Sequence, residues 1–402
     1  MKHKPLWFVG AKVYQQDGTA QAREVCIANG RVDNAPHPTA LCVDMSGYTL
    51  YPGLINSHDH LELNHYPRTK YQERYGNAHQ WGEQVNSQLD KPPFKELRAY
   101  PLEDKLYIGG LKNLLCGATL VAHHNPPHKP LFRKDFPVRV LQKYGWAHSL
   151  HFTPQAEIVT SFKRTPKNTP FFIHLAEGTD ETALAEYQTL KELGCISGAT
   201  RFIHAVGISR ADWADAAQFY NAFERTPFIW CPTTNKYLLG ETISYTVLGR
   251  YGLPALGSDS RLTADGDLLN EMRFAETYWN ERLPKQPDIA VQFATRNARL
   301  ILNVTDSGRL DVSAFADVIA VPEEKRLSDC RRADLALVMR EGVPQIGDPD
   351  VMAKFPHVKM VDARLDGKEK RINAELATQI GRCSLKEAGL ELLERPSNRK
   401  LL

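Results

Sequence analysis

The stretch Pro52-Gly53-Leu54-Ile55-Asn56-Ser57-His58-Asp59-His60 decides how this chain is read. An apolar run ends in two histidines one residue apart, and in a strand over residues 54–60 the period-two alternation points both imidazoles to one side. A strand end of this kind can grip a metal ion. The pair alone does not separate a ligand set from two hydrogen-bonded histidines, so the reading depends on what later strand ends deliver.

Beyond His60 a polar and aromatic stretch covers residues 62–100 and includes Arg68, Lys70, Arg74, His79 and Trp81. It reads as a long loop, and loops of this length inside a compact domain are usually functional or mobile. From Pro101 the pattern turns helical, with Leu102, Leu106, Leu111, Leu114 and Leu115 near the helical period and Gly117 as its stop. Strand-like runs at 118–122, 138–141, 171–173, 201–203, 228–230 and 255–256 then alternate with helix candidates. The clearest of these spans 209–224, with Ser209 and Asp212 spaced as a capping box and Trp213, Ala217 and Tyr220 on one face. Residues 289–302 form a last helix.

Such alternation across residues 52–307 implies a parallel sheet, and the number of repeats favours a closed barrel. One repeat is crowded: the segment between Val138 and His174 is short for two strands and two helices, and 146–152 is its only further strand candidate. Short strands with turn punctuation fill residues 1–51 and return over 308–362, so the two chain ends are expected to meet in one small β domain. Residues 363–402 read as a polar, helical tail with Ser384 and Glu387 as another capping box.

Charged residues make up 24% of the chain and the net charge is only +3, which argues against nucleic acid or an anionic membrane as the main partner and for a small-molecule substrate. Seven cysteines without Cys-x-x-Cys spacing speak against a disulfide framework and for a reducing compartment. No run approaches the ~18 apolar residues of a membrane span, and the apolar run at 6–9 is too short for a signal segment. A soluble cytoplasmic protein is expected, with a homo-oligomer left open.

In a barrel the site is built where strands end, so polar residues just after the apolar runs carry the chemistry. His58 and His60 follow the first strand, and His174, His204 and Asp259 follow later ones. Three or four imidazoles and one carboxylate suit Zn²⁺, or Fe²⁺, while leaving a position for water. Glu177, three residues after His174, is placed to move a proton to a leaving group. Cys231-Pro232-Thr233-Thr234-Asn235 follows another strand and shapes the pocket, with no base placed to make Cys231 a nucleophile. Candidate substrate contacts are His123, His124 and Asn125 at a strand end, Arg68 and Trp81 in the long loop, and Arg261.

These residues also carry a resemblance. The opening stretch, Gly117-Ala118-Thr119, His174-Leu175-Ala176-Glu177, the His204 strand, Cys231 to Asn235, Leu256-Gly257-Ser258-Asp259-Ser260 and Ala294-Thr295-Arg296-Asn297-Ala298 occur in the order seen in the amidohydrolase superfamily. The sequence resembles its chlorohydrolase and aminohydrolase branch, which includes guanine, cytosine and adenosyl-type deaminases. The resemblance implies a distorted (β/α)8 TIM barrel with a small β-sandwich formed from both chain ends. It implies one divalent metal, Zn²⁺ foremost, on His58, His60, His174 and Asp259, with His204 at the bound water or substrate oxygen and Glu177 as proton shuttle. Residues 146–154 contain no lysine, which counts against the binuclear branch whose metals share a carbamylated lysine.

The expected activity is a mononuclear metal-dependent hydrolase in which metal-bound hydroxide, oriented by Asp259 and His204, attacks a carbon bearing a nitrogen leaving group. Deamination of a heteroaromatic or cyclic amidine leads, and amide or carbamate hydrolysis on the same residues is the alternative. A catalytically inactive binding barrel is the rival from another class, and Glu177 beside a complete ligand set speaks against it.

Overall fold

The apolar run after Gly53 forms strand β1 (Leu54–Asp59) in the computed structural model, which describes residues 4–220 and 225–393. Glycine is needed at its entrance, because a Cβ on Gly53 would lie 2.3 Å from Thr119 Oγ1. Seven strands follow: β2 (Ala118–His123), β3 (Arg139–Val140), β4 (Gly145–Ser149), β5 (Phe171–Leu175), β6 (Thr200–His204), β7 (Thr226–Trp230) and β8 (Gly252–Leu256). They pair in parallel in two ladders, β3-β2-β1 and β4-β5-β6-β7-β8. The ladders touch at a parallel bridge between Asp59 and Asp259, where Asp259 N donates to His58 O over 3.0 Å. Among the described residues no ladder joins β3 to β4.

Strand alternation sorts the side chains. Ile55, Leu120, Phe172, Ile203, Ile229 and Ala255 form one cluster that spans both ladders. Their neighbours Leu54, Val121, Ile173 and Phe202 enter a larger cluster shared with the helices. Both sets are buried, which is why these strands read as continuous apolar runs. The helix Leu102–Leu115 buries Leu106, Leu111, Leu114 and Leu115 and leaves Leu102 exposed. Gly117, in the left-handed region at φ +83°, closes it by donating to Leu114 O.

The crowded segment between Val138 and His174 makes β3, β4 and one helix, Gln155–Arg164, with residues 141–144 joining β3 to β4 without a helix. Other expectations need correction. Ser209 does cap its helix, accepting from Asp212 N, but the α-helix is only Arg210–Ala216, and Ala216 rather than Ala217 is buried beside Trp213. Residues 221–224 of the expected helix lie outside the described residues. The expected last helix is interrupted by a π-turn at Phe293–Asn297 between Ile289–Gln292 and Ala298–Ile301. The expected loop at 62–100 contains helices Ala78–Asn86 and Phe94–Arg98, the first capped by Asn77.

The chain ends do meet. Leu6–Val9, Val25–Ala28, Arg31–Asp33 and Leu41–Asp44 form one sheet. A nine-stranded sheet combines Tyr48–Pro52 and Lys12–Tyr14 with Val318–Pro322, Leu337–Arg340 and Val343–Gly347. Leu6, Phe8 and Ile27 of the first share a core with Val13, Val318 and Leu337 of the second. The tail, expected to be helical, extends this sheet through Met360–Leu365, Lys368–Asn373 and Leu390–Leu392, and among its described residues is helical only at Ala374–Arg382. Ser384 caps no helix and binds Asp104 instead. Residues 394–402 lie outside the described residues. No helix among the described residues is long and apolar enough to cross a membrane.

Candidate metal centre

The ends of β1, β5 and β8 bring the four candidate ligand atoms together. His174 Nε2 lies 3.2 Å from His58 Nε2 and 3.4 Å from His60 Nε2. Asp259 Oδ1 is 3.6 Å from Nε2 of His58 and equally far from that of His60. Four N and O ligands held tetrahedrally around zinc are themselves about 3.3–3.6 Å apart, the edge that bond lengths of about 2.0–2.2 Å dictate. The donor set therefore fits a metal of this size. Burial lowers the pKa of His58 and His174, which keeps their lone pairs available near neutral pH. Burial alone would raise Asp259, but its contact with His58 and the charge of His60, His58 and His204 outweigh it and hold the carboxylate below its usual range.

Two of the four candidate ligands, His174 and Asp259, are oriented from behind by hydrogen bonds, as partners outside the ligand set orient metal ligands. His174 Nδ1 donates to His148 O over 2.8 Å, which leaves Nε2 unprotonated toward the centre. Asp259 Oδ2 accepts from Thr234 Oγ1 at 3.0 Å and Thr263 Oγ1 at 2.8 Å, turning Oδ1 to the histidines. Asp59, between the two β1 ligands, faces the other way. It pairs with Lys112 Nζ at 2.9 Å, both side chains wholly buried, and accepts from Asn113 and Asn64. His124 packs its ring 4.4 Å from that of His174 and sends Nε2 to Ala147 O.

His204 and Glu177 stand beside this set. His204 Nδ1 donates to Asn235 Oδ1 over 2.8 Å, and its Nε2 lies 3.5 Å from Glu177 Oε2. Burial takes His204 down to about 4, and burial together with the charge of Asp259 and Glu186 pushes Glu177 well above the usual carboxyl range. Ala176, His204, Ala205 and Asp259 all have positive φ. Strained non-glycine backbone of this kind persists only where the surroundings over-determine it, and it concentrates at functional sites. The Cys231 thiol lies within 4.8 Å of ligand atoms of His58 and His204, and burial pushes its pKa well up.

The site opens into a cavity of about 680 Å³ lined by His60, His174, Glu177, His204 and Asp259 at one end and largely by the 61–105 segment at the other. That segment is clamped down: Ala78 N donates to Glu177 O, and Thr179 N donates to Gly76 O. Trp81 and Asn125 line the cavity as anticipated, Trp81 with its Nε1 on Thr69 O and Asn125 on Glu62. The other anticipated contacts sit elsewhere. Arg68 lies over the Tyr237 ring and donates to Thr263 O, fastening the segment in place. Arg261 pairs with the buried Glu387, and His123 is buried against Glu62 and Leu61 N. Sequence reasoning missed His148, Ser149 and Glu186, which also line the cavity. Glu186 accepts from Ala176 N at 2.5 Å and faces His79 Nε2 at 3.2 Å, and burial pushes it up to about 7. It stands mid-helix with no local signal, whereas Thr234 and Asn235 belonged to a motif already singled out.

No family model matches the sequence, and a search of curated proteins finds no match. Solved structures do match. A zinc-bound adenosine deaminase from Xanthomonas campestris superposes with a TM-score of 0.67 at 16% identity, over 88% of this chain and 96% of that one. Atrazine chlorohydrolase from Arthrobacter aurescens, complexed with zinc, gives 0.69 at 14% identity over 87% and 100%. Helicobacter pylori aminofutalosine deaminase, in complex with methylthio-coformycin, gives 0.56 at 15% identity over 85% and 99%. The fold is thus an α/β architecture with parallel sheets shared with deaminases and a chlorohydrolase, the kinds of enzyme the sequence motifs resemble.

Proposed function

We propose that the chain belongs to the amidohydrolase superfamily and is a mononuclear zinc hydrolase of non-peptide C–N bonds, deaminating a heteroaromatic or cyclic amidine substrate. In this reading the two ladders close as a distorted (β/α)8 barrel over residues 52–307, and the sheets from both chain ends form its companion β-sandwich. The observation that carries the reading is the convergence of His58, His60, His174 and Asp259 at zinc-like spacing, with Glu177 and His204 alongside.

Zinc on these four residues supplies Lewis acidity and lowers the pKa of water. The protein's own groups do the rest. Asp259, fixed by Thr234 and Thr263, accepts a hydrogen bond from the attacking water and orients it. His204, held by Asn235 with Nε2 toward the cavity, polarises the reacting centre of the substrate. Glu177 takes the water proton and returns it to the departing nitrogen, a task suited to a carboxyl whose burial raises its pKa.

Elemental analysis and ammonia release test the reading together. Protein purified without added metal should carry about one zinc or iron per chain, and a library of purines, pterins, pyrimidines and N-acyl compounds should yield ammonia from at least one amino-heterocycle, abolished by chelation. Two metals per chain, or turnover of N-acyl compounds alone, would replace the reading.

A further inference from the structure

The cavity is divided by charge. At the ligand end stand the only carboxylates that the described residues contribute to its lining, Glu177, Glu186 and Asp259. Elsewhere the described lining carries Arg98 and Lys105 and no acid. Lys105 sits seven residues before Lys112 on the helix Leu102–Leu115, and Lys112 reaches Asp59 between two ligands. Seven residues of helix span about 10 Å, so Lys105 stands about two turns along the helix from Lys112. Lys105 Nζ donates to the Arg98 backbone carbonyl at 3.2 Å, and both residues line the cavity. Arg98 is half exposed and its acidic partner, Asp90, is 97% exposed, a surface pair that a ligand anion can displace. Between the two ends Tyr66, Val85, Phe94 and Leu262 form an apolar wall with a core of their own. A cavity of about 680 Å³ is sized for a whole extended ligand, and a bare heterocycle at the ligand end would leave that wall wet.

We infer that the substrate is an elongated amphiphile: a nitrogen-bearing planar head at the ligands, an apolar body along the wall, and an anionic group, carboxylate or phosphate, held by Arg98 and Lys105. The head rests on the hydrolase reading above; the body and the anion rest on the cavity alone.

Calorimetric binding of head-free probes to the metal-loaded, full-length protein tests this independently of turnover. The probes are biphenyl-4-carboxylate, biphenyl-4-yl phosphate and the neutral biphenyl-4-carboxamide. At least one anion should bind about tenfold more tightly than the amide, as a charge-assisted contact supplies, and the tighter anion identifies the group. In R98Q/K105Q the ratio should fall to about one, and in R98E/K105E it should invert, with folding verified by thermal melting. Should a double variant fail to fold, R98Q and K105Q singly should each lower the ratio about threefold, the share of one cation in that contact. Equal binding of all three probes, no binding of any, or an anion preference that survives R98Q/K105Q would overturn the inference. If no amino-heterocycle releases ammonia while the affinity ratios hold, the deaminase reading fails and the cavity assignment stands.

Discussion

The strand ends and the 61–105 cover face one cavity but are held in different ways. At the strand ends the side chains are buried, the backbone at Ala176, His204 and Asp259 is strained, and His174, His204 and Asp259 each have a second polar atom bonded from behind. The cover rests on two small apolar clusters apart from the main cores, and its polar groups mostly bind backbone carbonyls. Chemistry needs atoms held to fractions of an ångström, which a buried sheet edge supplies. Selection needs a shaped wall, which a short helical segment can provide and vary without disturbing the ligands.

Removing a ligand should have the largest effect. His174→Ala is expected to lose metal and activity together, checked by elemental analysis and ammonia release on the same preparation; metal retained at full occupancy would break the ligand assignment. Glu177→Gln should keep the metal and lose about 10²–10⁴-fold in kcat, the usual contribution of a positioned acid–base group. A variant retaining more than about a tenth of wild-type kcat would remove Glu177 from the mechanism.

Lys112→Met tests the support behind the ligands. It leaves the Asp59 carboxylate buried without its cation, and breaking a buried pair in this way costs about 3–5 kcal/mol, read by denaturant unfolding. The cover should respond least. Trp81→Ala is expected to raise KM about tenfold, the worth of one good contact, with metal content unchanged. Arg68→Ala should raise KM less than Trp81→Ala, because its guanidinium faces Tyr237 and Thr263 rather than the cavity. The reverse order would mean that fastening the cover matters more than its lining.

What the sequence determined by itself is the set of strand ends. An apolar run followed at once by His58, His60, His174, His204 or Asp259 is a local pattern, and parallel strands buried on both faces cannot avoid displaying it. Tertiary structure decided what lies behind and above those residues. Thr234 on Asp259, Asn235 on His204 and the His148 carbonyl on His174 are contacts between separate strand ends, which no local period encodes. The tail strand Lys368–Asn373 reads Lys-Glu-Lys-Arg-Ile-Asn, a polar run that becomes a strand only because Met360–Leu365 pairs along it and Asp348 meets Lys370. Strand formation of this kind depends on a neighbouring strand rather than on intrinsic preference. The cover was legible as functional and not as helical, because its helices are short and are stabilised by docking onto the 176–180 turn and Leu262.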